Sequence, residues 1–600
     1  MPIMKSTYLQ KLRAVLCFDR AAARLIASWC SFVSMLLLLN WQDFSALGYA
    51  QSISPLTVAL ITLLFFAAYT LIAAALGSTL HSDSWFLFAT ATVCVFRWLL
   101  GYDGDNAPLF LFAVLAAYTL FTVVCVRINA DPFSKWQPNA RTVTTLAILF
   151  GVASCAVIAT VTCLRYKTFS SPNYDFGLFC NMFYNMKESG LPMVTSERDQ
   201  LLSHFAVHIS PIYYLLLPFY YIFPSPITLQ IGQAVALALG VIPVVLLARH
   251  HKLSGKTTLL VTALYAAYPA LTTGCFYDLH ENCFLPLFLL LTFLFYEKKK
   301  FPFMYLSALC VLAVKEDAAV YLLLFALFVL VSERDHLHGG LLAALSVGYF
   351  GVCAYVLQKH GLGMMVSRFD NLIFNEGDGL LGAIKTALVN PGFLLTQLFS
   401  AENGSWEKLV YFLQMLLPLG FLPFCTKKPA RWLLVAPILI NLLTYYQYQY
   451  DIGFQYHFGI TAFLVYATIK NLPSLSLPTR RTLLSIAAAA CCCIYVFSVI
   501  PTLNSYTRRW QSGKETYGYM ENILDTIPED ASINVSTFLL AHVADRETVF
   551  EVGYHDNKPD VDFVILDLRY DSYQKALNAY LAHGYTLYAE YEDLILILQK

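Results

Sequence analysis

Long apolar runs separated by short polar breaks make up most of the chain. A membrane-spanning helix needs roughly 20 apolar residues, with about 17 as a lower limit. Runs that reach or approach that length lie near 22–40, 55–77, 85–101, 107–126 and 143–164, then 227–248, 257–274, 283–296, 302–314, 318–332 and 340–358, and finally 408–425, 432–446, 457–470 and 482–500. Several are short enough to require tilted or half-length helices. In the polar gap before 227, Ile209 to Phe223 is apolar but only about 15 residues long and carries Pro211 and Pro218. It is expected to lie along the interface or re-enter rather than span.

From about Ser505 the pattern changes. Ser532 to Ser536, Thr548 to Val552 and Val561 to Leu566 read as strands, Asp571 to Ala582 as an amphipathic helix, and Tyr585 to Tyr591 with Leu594 to Leu598 as a closing hairpin. Asp567 reads as a solvated strand end. The expected fold class is a polytopic α-helical membrane protein with a small C-terminal α/β domain.

Composition supports the membrane reading. With 58% hydrophobic and 13% charged residues and a mean hydropathy of +0.58, a soluble globule would expose large apolar patches. The formal net charge of +0 supplies no global field for nucleic acid. Most of the 15 cysteines lie inside apolar runs, as in Cys491-Cys492-Cys493, and behave as small hydrophobes. Lys5, Lys11, Arg13 and Arg20 precede the first run as in a signal peptide, but no small-residue cleavage site follows, so the run reads as a retained helix.

The basic clusters set an orientation. Arg127, Lys135 and Arg141, then Arg249, Lys252 and Lys256, then Lys298 to Lys300, Lys427, Lys428 and Arg431, and Lys470, Arg480 and Arg481 all fall inside if the N-terminus is cytoplasmic and 209–223 does not span. That implies an odd number of spans and an external C-terminal domain. The unusual polar clusters then gather outside: Asp175 with the segment to His208, Tyr277 to Glu281, Lys315-Glu316-Asp317, the loop from His360 to Trp406, and Tyr450-Asp451 through His457. Ionisable residues at membrane depth are costly and are functional candidates by default. If these clusters share a site, Asp175, Asp278, His280 and Glu316 converge on one external cavity. Bland alternatives stand beside this one. Lys315 to Asp317 can mark a hairpin top, His204 and His208 can be interfacial histidines, and Tyr445, Tyr446, Tyr448, Tyr450 and Tyr456 can form an aromatic belt rather than a sugar-stacking platform. His280 beside Asp278 and Glu281 invites a metal reading, but adjacent residues lack the spacing of a ligand set. No metal or other cofactor is expected.

Tyr174 to Phe179, then His204-Phe205 leading to Ser210-Pro211-Ile212-Tyr213, Phe276 to Glu281, Val314 to Asp317, Pro437 to Leu443 and Gln455-Tyr456-His457 resemble, in this order, the motifs of a bacterial membrane protein family catalogued as a domain of unknown function (DUF2079). The resemblance runs from about Leu146 to the C-terminus, past Ile527 to Ala531. That family is similar to the GT-C glycosyltransferases, multi-pass enzymes that use polyprenyl-phosphate-linked sugars. In such enzymes a first helix leads into a long external loop with a catalytic carboxylate near its start and interfacial helices after it. The resemblance implies three parts: N-terminal helices 1–142 of unassigned role, a GT-C-like body 143–503 with external loop 165–226, and an external domain 504–600. It implies Asp175 as the base for an acceptor hydroxyl. His204, His208, Asp278, His280, Glu281, Lys315, Glu316, Arg368 and His457 would be substrate-binding, with Lys315 and Arg368 favoured for the lipid phosphate. The implied partners are membrane lipid, the lipid-linked donor, and a carbohydrate, lipid or protein acceptor, at the bacterial cytoplasmic membrane.

The alternative class is a transporter, flippase or lipid- or carbohydrate-binding scaffold. No internal repeat is evident, and the polar groups collect at one surface rather than the midplane. Asp175-Phe176-Gly177 matches a kinase triplet, but no glycine-rich loop or partner motif accompanies it. Asn403-Gly404-Ser405 and Asn534-Val535-Ser536 fit the glycosylation sequon, which short sequences meet by chance.

Overall fold

A computed structural model describes residues 18–39, 44, 53–76, 81–102, 107–127, 136–363, 367–375, 379–401, 406–553 and 560–600. Lys5, Lys11, Arg13, Lys135 and the Asn403 sequon lie outside them.

Four apolar helices open the described chain: α1 (Phe18–Leu39), α2 (Pro55–Leu76), α3 (His81–Gly101) and α4 (Ala107–Arg127). Arg24 of α1 is fully buried, and it ties the first three together. Its Nε and Nη2 donate to Asp83 at 2.8 and 2.9 Å, and Nη1 donates to Thr70 Oγ1 at 2.9 Å. Removing one partner of such a pair strands a buried charge, at about 3–5 kcal/mol. Asp83→Ala is therefore expected to lower the apparent melting temperature of the purified protein clearly, and an unchanged melting curve would remove the pair from the account.

The body follows with α5 (Ala140–Lys167), α6 (Leu178–Ser189), α7 (Pro226–Leu239), α8 (Val241–His250), α9 (Gly255–Ala266), α10 (Leu285–Glu297), α11 (Phe301–Leu312), α12 (Ala318–Phe328), α13 (His336–His360), α14 (Glu407–Leu416), α15 (Phe458–Asn471) and α16 (Leu477–Leu524). Seven helical stretches of the described residues are long and apolar enough to cross a membrane, the joined α7–α8 stretch among them. The protein is thus a multi-pass, mainly helical membrane protein. Residues 209–223 form only a 3-10 turn, Pro211–Leu215, and a short helix, Leu217–Ile222.

Several expected spans are broken instead. The run at 257–274 ends its helix at Ala266 and resumes at Pro269. The run at 408–425 ends its helix at Leu416, where Pro418 and Gly420 (φ +56°) turn the chain. The run at 432–446 holds a 3-10 turn and the five-residue helix Ile438–Leu442. α15 is short and buried along its whole length. Broken helices are tolerated at membrane depth where protein rather than lipid covers the backbone. Around α15, Phe293 meets Phe325, Phe463 and Tyr466 at ring distances of 4.5, 4.9 and 4.7 Å. Between α7 and α8 the Tyr265 hydroxyl donates to the Leu237 carbonyl at 2.9 Å. A Cβ on Gly240 would collide with that hydroxyl, so only glycine leaves the space.

The 48-residue α16 passes through the expected boundary at 503/504 and ends at Leu524. Beyond it come β1 (Ile533–Val535), β2 (Val549–Glu551), β3 (Phe563–Asp567), α17 (Tyr573–Ala582), β4 (Thr586–Tyr591) and β5 (Ile595–Gln599). The sheet order is β2-β1-β3-β5-β4, parallel across the first three strands and antiparallel across the last three. Buried apolar side chains cover β1, β3 and β5. The N-terminal helices join the body where α4 packs on α16 at the small residues Ala489, Ala490 and Cys493.

Candidate active site

The site forms where α5 ends. After Pro172, residues Asn173–Gly177 make one π-turn that runs directly into α6, a local widening of the helix often found at functional positions. Asp175 sits in this turn, half-buried. Among the described residues its carboxylate has no hydrogen-bond or ion-pair partner. Burial raises its pKa to about 7; the nearby Glu281 and Asp278 add to the rise, and Lys315 and His204 oppose it. A carboxylate with that poise is half ionised near neutrality, which suits a general base.

Opposite Asp175 lies a buried cluster centred on Glu281. The Tyr213 hydroxyl donates to Glu281 Oε2 at 2.6 Å, His280 Nδ1 lies 3.2 Å from the same oxygen, and Lys315 Nζ lies 3.2 Å from Oε1. Burial acts to raise the Glu281 pKa, but His280, Lys315, His208 and the Tyr213 hydroxyl more than reverse it and hold it well below the usual carboxylate range. Burial pushes His280 down to about 3, so the cation that Glu281 keeps at neutral pH is Lys315. Burial likewise disfavours the Lys315 charge, and Glu281 with Asp317 and Glu316 restores it. Next to this pair His208 Nδ1 lies 2.9 Å from Glu316 Oε1, while the Ile209 N–H donates to Glu316 Oε2 at 3.0 Å. His204 Nδ1 lies 2.9 Å from Glu197, and its ring stands edge-on to Phe179 at 5.4 Å.

The remaining sequence candidates have different surroundings. Asp278 has a left-handed backbone (φ +133°), and its carboxylate accepts from Arg165 Nε at 3.0 Å, Ser171 at 2.9 Å and Gln230 at 2.8 Å. With three donors engaged it braces α5 against α7. Arg368 is half-buried and has no carboxylate partner among the described residues. Its guanidinium rests 4.9 Å from the ring centres of both Tyr446 and Tyr456. His457 is fully buried, its Nε2 2.7 Å from the Ala270 carbonyl, and so belongs to the packing of the core rather than to an open surface. The tyrosines divide as well. Tyr445 and Tyr450 flank the buried Lys408 at 5.3 and 5.4 Å. Tyr446, Tyr448 and Tyr456 join Phe454 and Tyr277 in one partly exposed wall, with ring centres 4.6–5.8 Å apart.

Sequence reasoning passed over Arg165, Asn173 and Glu551, and gave Tyr213 no role beyond its place in a motif. Arg165 carried a usable signal, since it is a charged residue in the last turn of a long apolar helix. Asp567 is buried, not solvated, and pairs with Arg569 at 2.6 Å. Among the described residues no group of three His, Cys, Asp or Glu side chains is arranged to hold a metal ion.

These features define a multi-pass membrane protein whose charged, aromatic-walled site stands at the end of the bundle that meets the C-terminal sheet. The chain belongs to the family described as "Predicted membrane protein (DUF2079)", which matches residues 165–596 and so takes in every candidate above but none of helices α1 to α4. Among solved structures, the chain is similar to ArnT from Cupriavidus metallidurans bound to undecaprenyl phosphate, with a TM-score of 0.45 and 12% identity over 76% of this chain and 98% of that one. No curated protein matches it.

Proposed function

We propose that the chain is a membrane glycosyltransferase that moves a sugar from a polyprenyl-phosphate-linked donor to an acceptor on the external face of the cell membrane. The observation that carries this reading is Asp175, a half-buried carboxylate with its pKa raised and no side-chain partner among the described residues, facing the Glu281–Lys315 ion pair and an aromatic wall. In this reading Asp175 takes the proton of the acceptor hydroxyl as its oxygen attacks the anomeric carbon. The bond from that carbon to the phosphate oxygen breaks, and the lipid phosphate leaves with the electron pair. Arg368 is the natural partner for the developing charge, because Lys315 already neutralises Glu281 whereas Arg368 forms no ion pair among the described residues. The wall of Tyr277, Phe454, Tyr448, Tyr446 and Tyr456 gives a sugar ring an apolar face to stack on.

The test is transfer by the purified protein in lipid nanodiscs, with a polyprenyl-phosphate sugar pool extracted from the source membranes. Envelope glycans unchanged on deletion of the chain, together with no thermal stabilisation by polyprenyl phosphate, would reject the reading. Arg368→Gln is expected to weaken that stabilisation by about 10–150-fold in ligand concentration, the worth of one charged hydrogen-bond partner at about 1.5–3 kcal/mol. An Arg368→Gln protein that is stabilised as well as the wild type would move the phosphate elsewhere.

A further inference from the structure

In the C-terminal sheet the chain leaves β1 towards β2 on one side and leaves β3 towards β4 on the other. In open α/β sheets such a reversal opens a crevice at the carboxyl ends of the parallel strands, and ligands usually bind there. Here the protein's own chain fills that place. Thr537 Oγ1, just past β1, accepts from the Asn173 N–H at 3.0 Å. Glu551, the last residue of β2, accepts from Asn173 Nδ2 at 2.8 Å. Arg569, two residues past β3, donates to the Phe169 carbonyl at 3.3 Å. The Glu551 N–H donates to Asp199 at 3.0 Å, and Asn173 Nδ2 donates also to the Ser196 carbonyl at 3.1 Å. Asn173 is 2% exposed and Glu551 5%, so these bonds are sheltered from water.

Two further contacts lock the same segment. His542 is stacked between Tyr166 and Phe169, at ring distances of 4.2 and 3.7 Å. Gly177 has an ordinary φ of −62°, so its backbone does not require glycine. A Cβ there would stand 2.9 Å from Leu540 Cδ2 and 2.8 Å from Asn173 Oδ1; the missing side chain is what lets the domain approach.

We propose that the C-terminal domain is a positioning module: its strand-end crevice grips residues 169–177, and Glu551 and Thr537 set the place of the Asp175 carboxylate through Asn173. The inference rests on the reading of Asp175 as the base. Among the described residues the Asp175 carboxylate accepts no hydrogen bond, so its position comes from the π-turn, and the turn is anchored at Asn173 by both backbone and side chain. Releasing the anchor lets the carboxylate move towards water and away from Glu281, Lys315, Asp278 and His204, the titratable groups that face it.

Carbodiimide labelling of the full-length protein, read by peptide mass spectrometry across pH, tests this. The reagent adds across the O–H of a protonated carboxyl, so the labelling midpoint of Asp175 reports its protonation without any turnover. The wild type should be half-labelled near pH 7, and Glu551→Gln should match it, because the amide oxygen still accepts from Asn173. Glu551→Ala and Thr537→Val should lower the midpoint by about one pH unit or more, as water regains the carboxylate. Glu590→Ala, exposed on the edge strand β4, should leave it unchanged. Wild-type midpoints in both Glu551→Ala and Thr537→Val would overturn the proposal; if the first fails to fold, the hydroxyl deletion decides alone. Shifted midpoints in Glu551→Ala and Thr537→Val beside a wild type that transfers no sugar would reject the enzyme reading and keep the clamp.

Discussion

Asp175→Asn is expected to lower sugar transfer by about 10²–10⁴-fold, the usual worth of proton transfer by a positioned side chain, while leaving polyprenyl phosphate binding close to wild type. The amide has nearly the shape of the carboxylate but cannot accept the acceptor proton. In the wild type, transfer should rise with pH through about 7, where the Asp175 carboxyl loses its proton, and then level off. Stability should move the other way. A carboxyl whose folded pKa is raised favours the folded state fully at pH below its unfolded value near 4 and loses that contribution as pH rises through about 7. Asp175→Asn should therefore melt higher than the wild type at pH 8 and nearly alike at pH 4. Undiminished transfer, or a flat pH profile between 5 and 8, would take the base role away from Asp175.

The second large effect is expected at Glu281. Its carboxylate is 1% exposed and holds Lys315, His280 and Tyr213 together. Glu281→Ala leaves the Lys315 ammonium buried without its nearest counter-charge, at a cost of about 3–5 kcal/mol. The double variant Glu281→Gln with Lys315→Met removes both charges and keeps an acceptor for Tyr213, so it should recover most of the loss in melting temperature. The two residues share one interaction, and their single effects should not add. A Glu281→Ala protein as stable as the wild type, or simple additivity in the double variant, would show that the pair is not coupled.

Much of the architecture was legible because lipid imposes a strong pattern. Helices α1 to α5, α13 and the apolar part of α16 follow from run length alone, and the strands and helix of the C-terminal sheet from a change of period. The short helices were not legible for the same reason. α15 is buried in protein on every side, yet its residues are as apolar as those of a lipid-facing span. In the site, the motif at Tyr174 to Gly177 and the acidic clusters stood out against apolar surroundings. What they bind to did not: nothing in the order of residues says that Lys315 is spent on Glu281, leaving Arg368 between two tyrosines, or that Asp278 is already saturated by Arg165, Ser171 and Gln230. Those pairings join segments far apart in the chain, where local pattern carries no information.

The bonds from Asn173 to Glu551 and from Phe169 to Arg569 close loops of 378 and 400 residues. Loop-closure entropy grows slowly with length, so closing them costs only a little more than closing a loop half as long. The larger consequence is one of time. At roughly 5–20 residues per second, the segment bearing Asp175 leaves the ribosome about 20–75 s before Glu551 exists. Throughout that interval the surrounding helices insert and pack while the carboxylate lacks its final anchors. A chain cut short between Asn471 and Glu551 therefore carries all of helices α1 to α15 and an unfinished site.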